Sequence, residues 1–333
     1  MDSYNITVSV IIPVYNNDNT ITRCVDSCIK QSYLPSEIII VNNNSTDDSQ
    51  LLIDQYILNH PSLIRFIYET KPCANAARNA GIKIAKGDWI QLLDADDELR
   101  PDKLSHQVAL LGIQNNADLI CSSATKYIRN EQKDQIHKEL IINADIIQGL
   151  INSEAGITSS NLWKREALLS LNLFDQEITS SQEYFMMLEF FKMDMGILLD
   201  PISKTKIYVS EESISNTNNA DRSLEIMINR INYYNKLMEV LIQKNKLNSN
   251  YKNEIISNIN RSYCYNVIRY GHSHMSRLKA IKNKYEISPS SIDILATYAH
   301  QVYSMYTIKK GLLKYPDFAL NLIIRVGKLF LFK

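Results

Sequence analysis

The feature that most limits what this chain can become is a repeated one: an apolar run of strand length that stops abruptly in polar, turn-forming residues. Residues 8–13 read Val-Ser-Val-Ile-Ile-Pro, a buried strand that Pro13 stops, and Val14, Tyr15, Asn16 and Asn17 follow as a loop. Residues 37–41, Glu-Ile-Ile-Ile-Val, run into Asn42, Asn43, Asn44, Ser45, Thr46, Asp47 and Asp48. The stretch 87–93 runs into Asp94, Ala95, Asp96 and Asp97. Runs with little polar alternation belong to strands buried on both faces, as in a parallel sheet. Between them the spacing predicts helices. Residues 20–31 place Ile21, Val25, Cys28 and Ile29 on one face, and 49–58 repeats the pattern with Leu51, Leu52, Tyr56 and Ile57. The segment 45–48 supplies an N-cap for the second of these, and a further helix is predicted over 101–111. Strand, helix, strand, helix argues for an α/β domain whose strand ends line one ligand-binding crevice. No Gly-x-Gly-x-x-Gly follows the first strand, and only 9 of 333 residues are glycine, so a dinucleotide-binding domain is disfavoured.

Asp94, Asp96 and Asp97 put three carboxylates within four positions. Like charges so close raise one another's pKa, and a bound cation offsets the repulsion. Magnesium or manganese prefers oxygen ligands and commonly takes one or two carboxylates while substrate phosphates complete its shell. A phosphorylated substrate is therefore expected. The duller alternative makes the same residues loop and helix-cap acids ahead of the 101–111 helix.

Five ordered blocks decide between these readings: residues 8–17, residues 38–48, Ala77-Arg78-Asn79-Ala80-Gly81, residues 87–101, and Ser180-Ser181-Gln182-Glu183-Tyr184. Together they resemble a family 2 glycosyltransferase of the GT-A fold, of the kind found in bacterial surface polysaccharide biosynthesis. The resemblance implies transfer of a sugar from a nucleotide diphosphate sugar, a UDP-sugar foremost, to a saccharide or lipid-linked acceptor, with inversion and with Mn2+ or Mg2+. Asp94-Ala95-Asp96 matches the family's acid-x-acid motif. By that likeness Asp96 contacts the metal, and Asp94 meets the donor ribose or a metal-bound water. Asp97 is a supporting acid or a cap. Glu183 falls where the family keeps its catalytic base, although a helix dipole would also favour a glutamate there. Pro13, Tyr15, Asn42 and Arg78 fall on the donor-nucleotide side. Tyr15 either stacks on the ligand or packs over the core, and Arg78 contacts base or phosphate or is a surface helix residue. Trp163 lies on the acceptor side, as a sugar platform or a half-buried core residue.

The sequence departs from the family pattern at Asn42-Asn43-Asn44-Ser45, where Asp-Asp-Gly-Ser is usual. An Asn carbonyl still accepts from a pyrimidine N–H, but its NH2 admits other bases. Asn44 is a candidate for the left-handed position that glycine normally fills.

Lys+Arg and Asp+Glu number 36 each, so no basic footprint points to nucleic acid. Five cysteines without metal spacing, with Cys24 and Cys28 as small core residues, fit a reducing cytoplasm. Residues 1–7 are too polar for a secretory signal. The catalytic domain is expected over 1–215 and a helical region over 216–333, with helices at 223–244, 251–270 and 292–313. Residues 317–333 form a short, basic amphipathic segment that either lies on a membrane surface or docks on protein. A cytoplasmic or peripherally inner-membrane-bound enzyme follows, of open oligomeric state. Two other classes compete: a non-catalytic sugar-nucleotide or assembly module, supported by Asn42 and Asn43, and a nucleotidyltransferase. The latter lacks a Gly-rich loop for a triphosphate.

Overall fold

The computed structural model describes residues 6–130, 133–209 and 219–290. The chain divides into two compact units, Met1–Ser213 and Ile214–Lys333. The first unit opens with β1 (Val8–Val14), α1 (Ile21–Ile29), β2 (Glu37–Asn42), α2 (Ser49–Asn59), β3 (Ile64–Tyr68), α3 (Ala74–Ile84) and β4 (Trp89–Leu92). It continues through β5 (Glu98–Leu99), α4 (Lys103–Ile113), β6 (Leu119–Ser122), β7 (Ala124–Asn130), β8 (Lys133–Leu140) and α5 (Ile146–Asn152). It closes with β9 (Leu162–Lys164), α6 (Arg165–Ser170), α7 (Gln182–Lys192), β10 (Ile197–Asp200) and β11 (Thr205–Tyr208).

Seven strands form the central sheet in the order β10-β6-β9-β4-β1-β2-β3. β1 pairs in parallel with β2 and β4, and β2 with β3, while β9 runs antiparallel between β4 and β6. The sheet is thus mainly parallel, and residues 38–41 are completely buried, as strands covered on both faces must be. A smaller sheet, β5-β11-β7-β8, flanks it. Pro13 does not end β1: Val14 still registers with Asn42, one residue beyond it. The β1–β4 ladder has already finished at Ile11 and Leu92, which is where a missing N–H is tolerated.

Helix α1 buries Ile21, Cys24, Val25 and Cys28, so both cysteines are small core residues. On α2 Ser49 and Ile53 are buried, with Leu52, Tyr56 and Ile57 packed beside the latter; Leu51, expected on this face, is exposed. Helix α3 lies against β1 at glycine distance: a Cβ on Gly81 would stand 2.5 Å from Ile11 Cγ2. That close approach fixes how far the rest of α3 stands from the strand ends.

The second unit contains α8 (Ala220–Gln243) and α9 (Ser249–Lys284), the latter with non-helical backbone at His274. Asn219 and Asn248 cap them by accepting from the Arg222 and Tyr251 amides, and Ser223 Oγ donates to Asn266 across the pair at 2.9 Å. Buried Leu224, Met227, Ile231, Tyr234 and Leu237 line α8's packed face, so its tyrosines serve as core. Among the described residues no helix is long and apolar enough to cross a membrane. The segments 292–313 and 317–333 lie outside the described residues.

Candidate active site

The C-terminal ends of β1, β2 and β4 open onto one side of the sheet, where loops replace ladder pairing. The loop after β4 is pinned from beneath. Asp94 N donates to Ser159 Oγ at 3.1 Å, Ser159 Oγ donates to Asp97 Oδ2 at 2.6 Å, and Asp97 N donates to Asp94 O at 3.0 Å. Asp97 also accepts from Tyr208 N in β11. It is buried and structural, and the cap of α4 is Asp102. Arg23 of α1 donates to Asp96 O, ion-pairs with Glu98 at 3.2 Å and lies 4.1 Å over the Tyr208 ring. Of the three acids, Asp94 and Asp96 are only partly buried.

Arg78, buried on α3, donates from Nη2 to Asp94 Oδ1 at 2.7 Å and from Nη1 to Asn75 Oδ1 at 3.0 Å. The sequence left a surface alternative open for this residue; its guanidinium is instead an interior partner of the acid loop. Asp94 Oδ2 has no hydrogen bond among the described residues, and the side chain keeps 38% of its exposure. Glu183 occupies the first turn of α7. Burial raises its pKa; the positive charge of Arg78 pulls it down and the negative charge of Asp94 pushes it up. Three residues far apart in sequence, Arg78, Asp94 and Glu183, therefore share one electrostatic neighbourhood.

Burial first, then Asp94, pushes Asp96 up to about 6, and burial, Asp96 and Asp94 drive Asp97 well above the ordinary carboxylate range. A cation held at Asp94 and Asp96 would offset this mutual repulsion. The donors are hard oxygens at Asp94 Oδ2 and Asp96, the chemistry that magnesium and manganese prefer. Among the described residues no three His, Cys, Asp or Glu side chains gather to hold an ion by themselves. A cation on Asp94 and Asp96 would take further oxygens from a ligand.

The three asparagines that end and follow β2 are engaged internally. Asn42, 2% exposed, donates to Gln50 Oε1 at 2.7 Å and accepts from Ser45 N at 2.9 Å. Asn43 donates to the carbonyls of Glu69 and Lys71 and accepts from Cys73 N, which ties β2 to the approach to α3. Asn44 has φ of +67° and donates to Glu69 O and Thr70 O, so it does take the left-handed position. Asp47, rather than a cap at Asp48, accepts from Ser49 N and Asp18 N and joins the first two strand-end loops. Pro13 is partly buried at the end of β1, and Tyr15 is 60% exposed beyond it, free of core packing on most of its surface.

Trp163 requires a correction. It sits in β9 at 0% exposure, edge-on to Phe174 and Phe190 with ring centroids 6.0 and 5.5 Å away. β9 is an interior strand between β4 and β6, so a side chain there faces core, and no sugar can lie against this ring.

Ser159, Asn75 and Arg23 escaped the sequence reading, and Tyr184 entered it only as part of the 180–184 block. Tyr184 follows Glu183, is buried, donates to Gly156 O at 2.9 Å and accepts from Ala155 N. Residues 158–161, Thr-Ser-Ser-Asn, are all buried before β9. A polar quartet abutting Leu-Trp-Lys is a visible signal, but it has no period and reads as a loop.

Comparisons with known proteins give the family and the fold. The family described as "Glycosyl transferase family 2" matches residues 9–176. The uncharacterized glycosyltransferase RC0461 of Rickettsia conorii is 28% identical over 203 residues, 58% of this chain and 32% of that protein, so the match spans about a third of that relative. S. aureus TarS 1–349 in complex with UDP-GlcNAc superposes with a TM-score of 0.59 at 13% identity, covering 89% of this chain and 80% of that one. The mannosyltransferase PcManGT from Pyrobaculum calidifontis, in complex with GDP-Man and Mn2+, gives 0.57 at 16% identity, covering 99% and 89%. At such identities the likeness to the solved structures is one of fold.

Proposed function

The chain belongs to glycosyl transferase family 2 and has the GT-A fold, and from that premise we propose that it moves a sugar, with inversion, from a nucleotide diphosphate sugar to a hydroxyl of a saccharide or lipid-linked saccharide. Sugar transfer itself follows from the family; donor base, acceptor, stereochemistry and metal are the proposal. The observation that carries it is the shared neighbourhood of Arg78, Asp94 and Glu183 at the strand ends. Exposed Tyr15 flanks the same loops for the donor base, whereas Asn42, expected on the donor side, is buried and turned to Gln50 and Ser45; a UDP-sugar is the leading candidate, and S. aureus TarS is described with UDP-GlcNAc and PcManGT with GDP-Man.

The residues act as follows. Glu183, with a carboxyl pushed upward by burial, accepts the proton of the incoming hydroxyl, because a more basic carboxylate is the better general base near neutrality. The hydroxyl oxygen attacks the anomeric carbon on the face opposite the leaving diphosphate, in a single displacement. Arg78 neutralises part of the charge at Asp94 and keeps its second oxygen turned to the ligand. Asp94 and Asp96 would hold Mn2+ or Mg2+, which when bound stabilises negative charge developing on a diphosphate. The transfer chemistry belongs to residues 1–215.

The internal engagement of Asn42 and Asn43 favours one second reading, a binding module that has lost turnover. Incubating the protein with manganese and UDP- or GDP-sugars separates them. Release of nucleoside diphosphate, lost in Asp96→Ala, is expected; manganese-dependent binding without any nucleotide release would support the module, and pyrophosphate release from a nucleoside triphosphate would indicate nucleotidyl transfer.

A further inference from the structure

The segment that leads into α7 has a local turn at Asp175, where Glu177 N and Ile178 N donate to Asp175 Oδ1 and O, and α3 ties that turn down. Asn79 donates to Phe174 O at 2.8 Å and accepts from Phe174 N at 3.0 Å, the two bonds of a strand pair made by one side chain. Cys73 Sγ meets Gln176 O at 3.4 Å. Asn75, 1% exposed, donates to Asp175 O at 2.7 Å and to Ile178 O at 3.0 Å. Its remaining group, Oδ1, accepts from Arg78 Nη1 at 3.0 Å, and the other arm of that guanidinium grips Asp94 at 2.7 Å.

We propose that Asn75 is a positioning residue that sets the separation between the donor-side acid Asp94 and the Glu183 base, through one continuous chain from Asp94 to Arg78, Asn75 and the 175–178 carbonyls. The inference rests on the transferase reading above. A side-chain amide is the group that fits: it offers two N–H donors to two carbonyls and one acceptor to a guanidinium. Aspartate would set a carboxylate against Asp175 O and Ile178 O, and alanine would remove the amide from Ile178 O, leave Asp175 O with only the Ile178 N–H at 3.3 Å, and take the acceptor from one guanidinium arm. The chain matters because donor and base come from different parts of the sequence, and a misplacement of about 1 Å between reacting groups costs on the order of 100-fold in rate.

The test compares wild type with Asn75→Ala and Asn75→Asp, using UDP and GDP with manganese for thermal shift and the corresponding sugars for nucleotide release. Positioning predicts nucleoside diphosphate affinity within about threefold of wild type while turnover falls on the order of 100-fold. Turnover within threefold of wild type, or affinity and turnover lost in proportion, overturns the proposal. If wild type itself neither binds nor releases nucleotide, the transferase reading fails instead. The chain is then judged by amide exchange of residues 174–178 in ligand-free protein. Faster exchange in both Asn75→Ala and Arg78→Met supports the link; exchange unchanged in Arg78→Met refutes it.

Discussion

Single residues divide between those that tune the site and those that strain the core. Glu183→Gln removes the proton acceptor without changing shape, so nucleotide binding should persist while turnover falls by about 100-fold or more; full turnover in the variant would remove Glu183 from the mechanism. Lys103 shows the opposite kind of cost. It is 1% exposed, and its Nζ has no hydrogen-bond partner among the described residues. Burial lowers its pKa to about 7, against weaker upward pulls from Asp200 and Cys28. The folded chain thus gives up this proton about three units earlier than the unfolded chain, whose lysines titrate near 10.4. Between these values the unfolded state binds more protons, so stability rises with pH through that window, and the penalty is full below pH 7. Lys103→Met should therefore raise the melting temperature, by roughly 2–4 °C per kcal/mol recovered, with the largest gain at pH 6 and little at pH 10. A loss of stability at pH 6 would show that the buried ammonium is favourable. At this scale the sequence singled out Asp94, Asp96 and Glu183, and the fold brings Arg78 onto Asp94, a partner that spacing alone does not display. The sequence left Trp163 open between a sugar platform and a half-buried core residue, because only the antiparallel insertion of β9 between β4 and β6 makes that residue fully interior.

Elements hold these residues at their distances, and α3 does the most. Its small residues Ala76, Ala77 and Gly81 are buried, and Gly81 meets β1 where even a methyl group would collide with Ile11. Moving α3 outward moves Asn75, Arg78 and Asn79 together. Gly81→Val is expected to destabilise the protein by about 1–3 kcal/mol through overpacking, and to lose turnover disproportionately because the Arg78–Asp94 bond lengthens. Retained turnover at lowered melting temperature would show that the site tolerates helix displacement. The strands and helices that build this layer were legible, because apolar runs of strand length and helical spacing leave few alternatives. Errors fell where an apolar residue had no reason in the sequence to be outside, as with Leu51. The asparagines after β2 were legible as a departure from the family, and Asn44 even in its backbone; what Asn42 and Asn43 bond could not be seen, since Gln50, Glu69 and Lys71 reach them only through the fold.

The molecule as a whole couples its acid cluster to solution conditions. Asp96 titrates near 6 in the folded chain, above the ordinary carboxylate value of about 4, because of burial and Asp94. The folded state therefore holds this proton more tightly than the unfolded state. Its contribution to stability is complete below pH 4 and is lost as pH rises through 6. A divalent cation with a nucleoside diphosphate should act in the reverse direction, since it needs the deprotonated pair Asp94 and Asp96 and competes with the proton. At pH 5 about one molecule in ten carries Asp96 ionised, so ligand stabilisation should be weaker than at pH 7.5 by about 1.4 kcal/mol. Melting curves with and without manganese plus UDP or GDP, at both pH values, measure the difference directly. Asp96→Asn should abolish the pH dependence along with the manganese requirement, because no titrating ligand remains between pH 5 and 7.5 at that position. A manganese shift of equal size at the two pH values in wild type would mean that the cation takes its oxygens elsewhere and that Asp96 serves the loop rather than the metal.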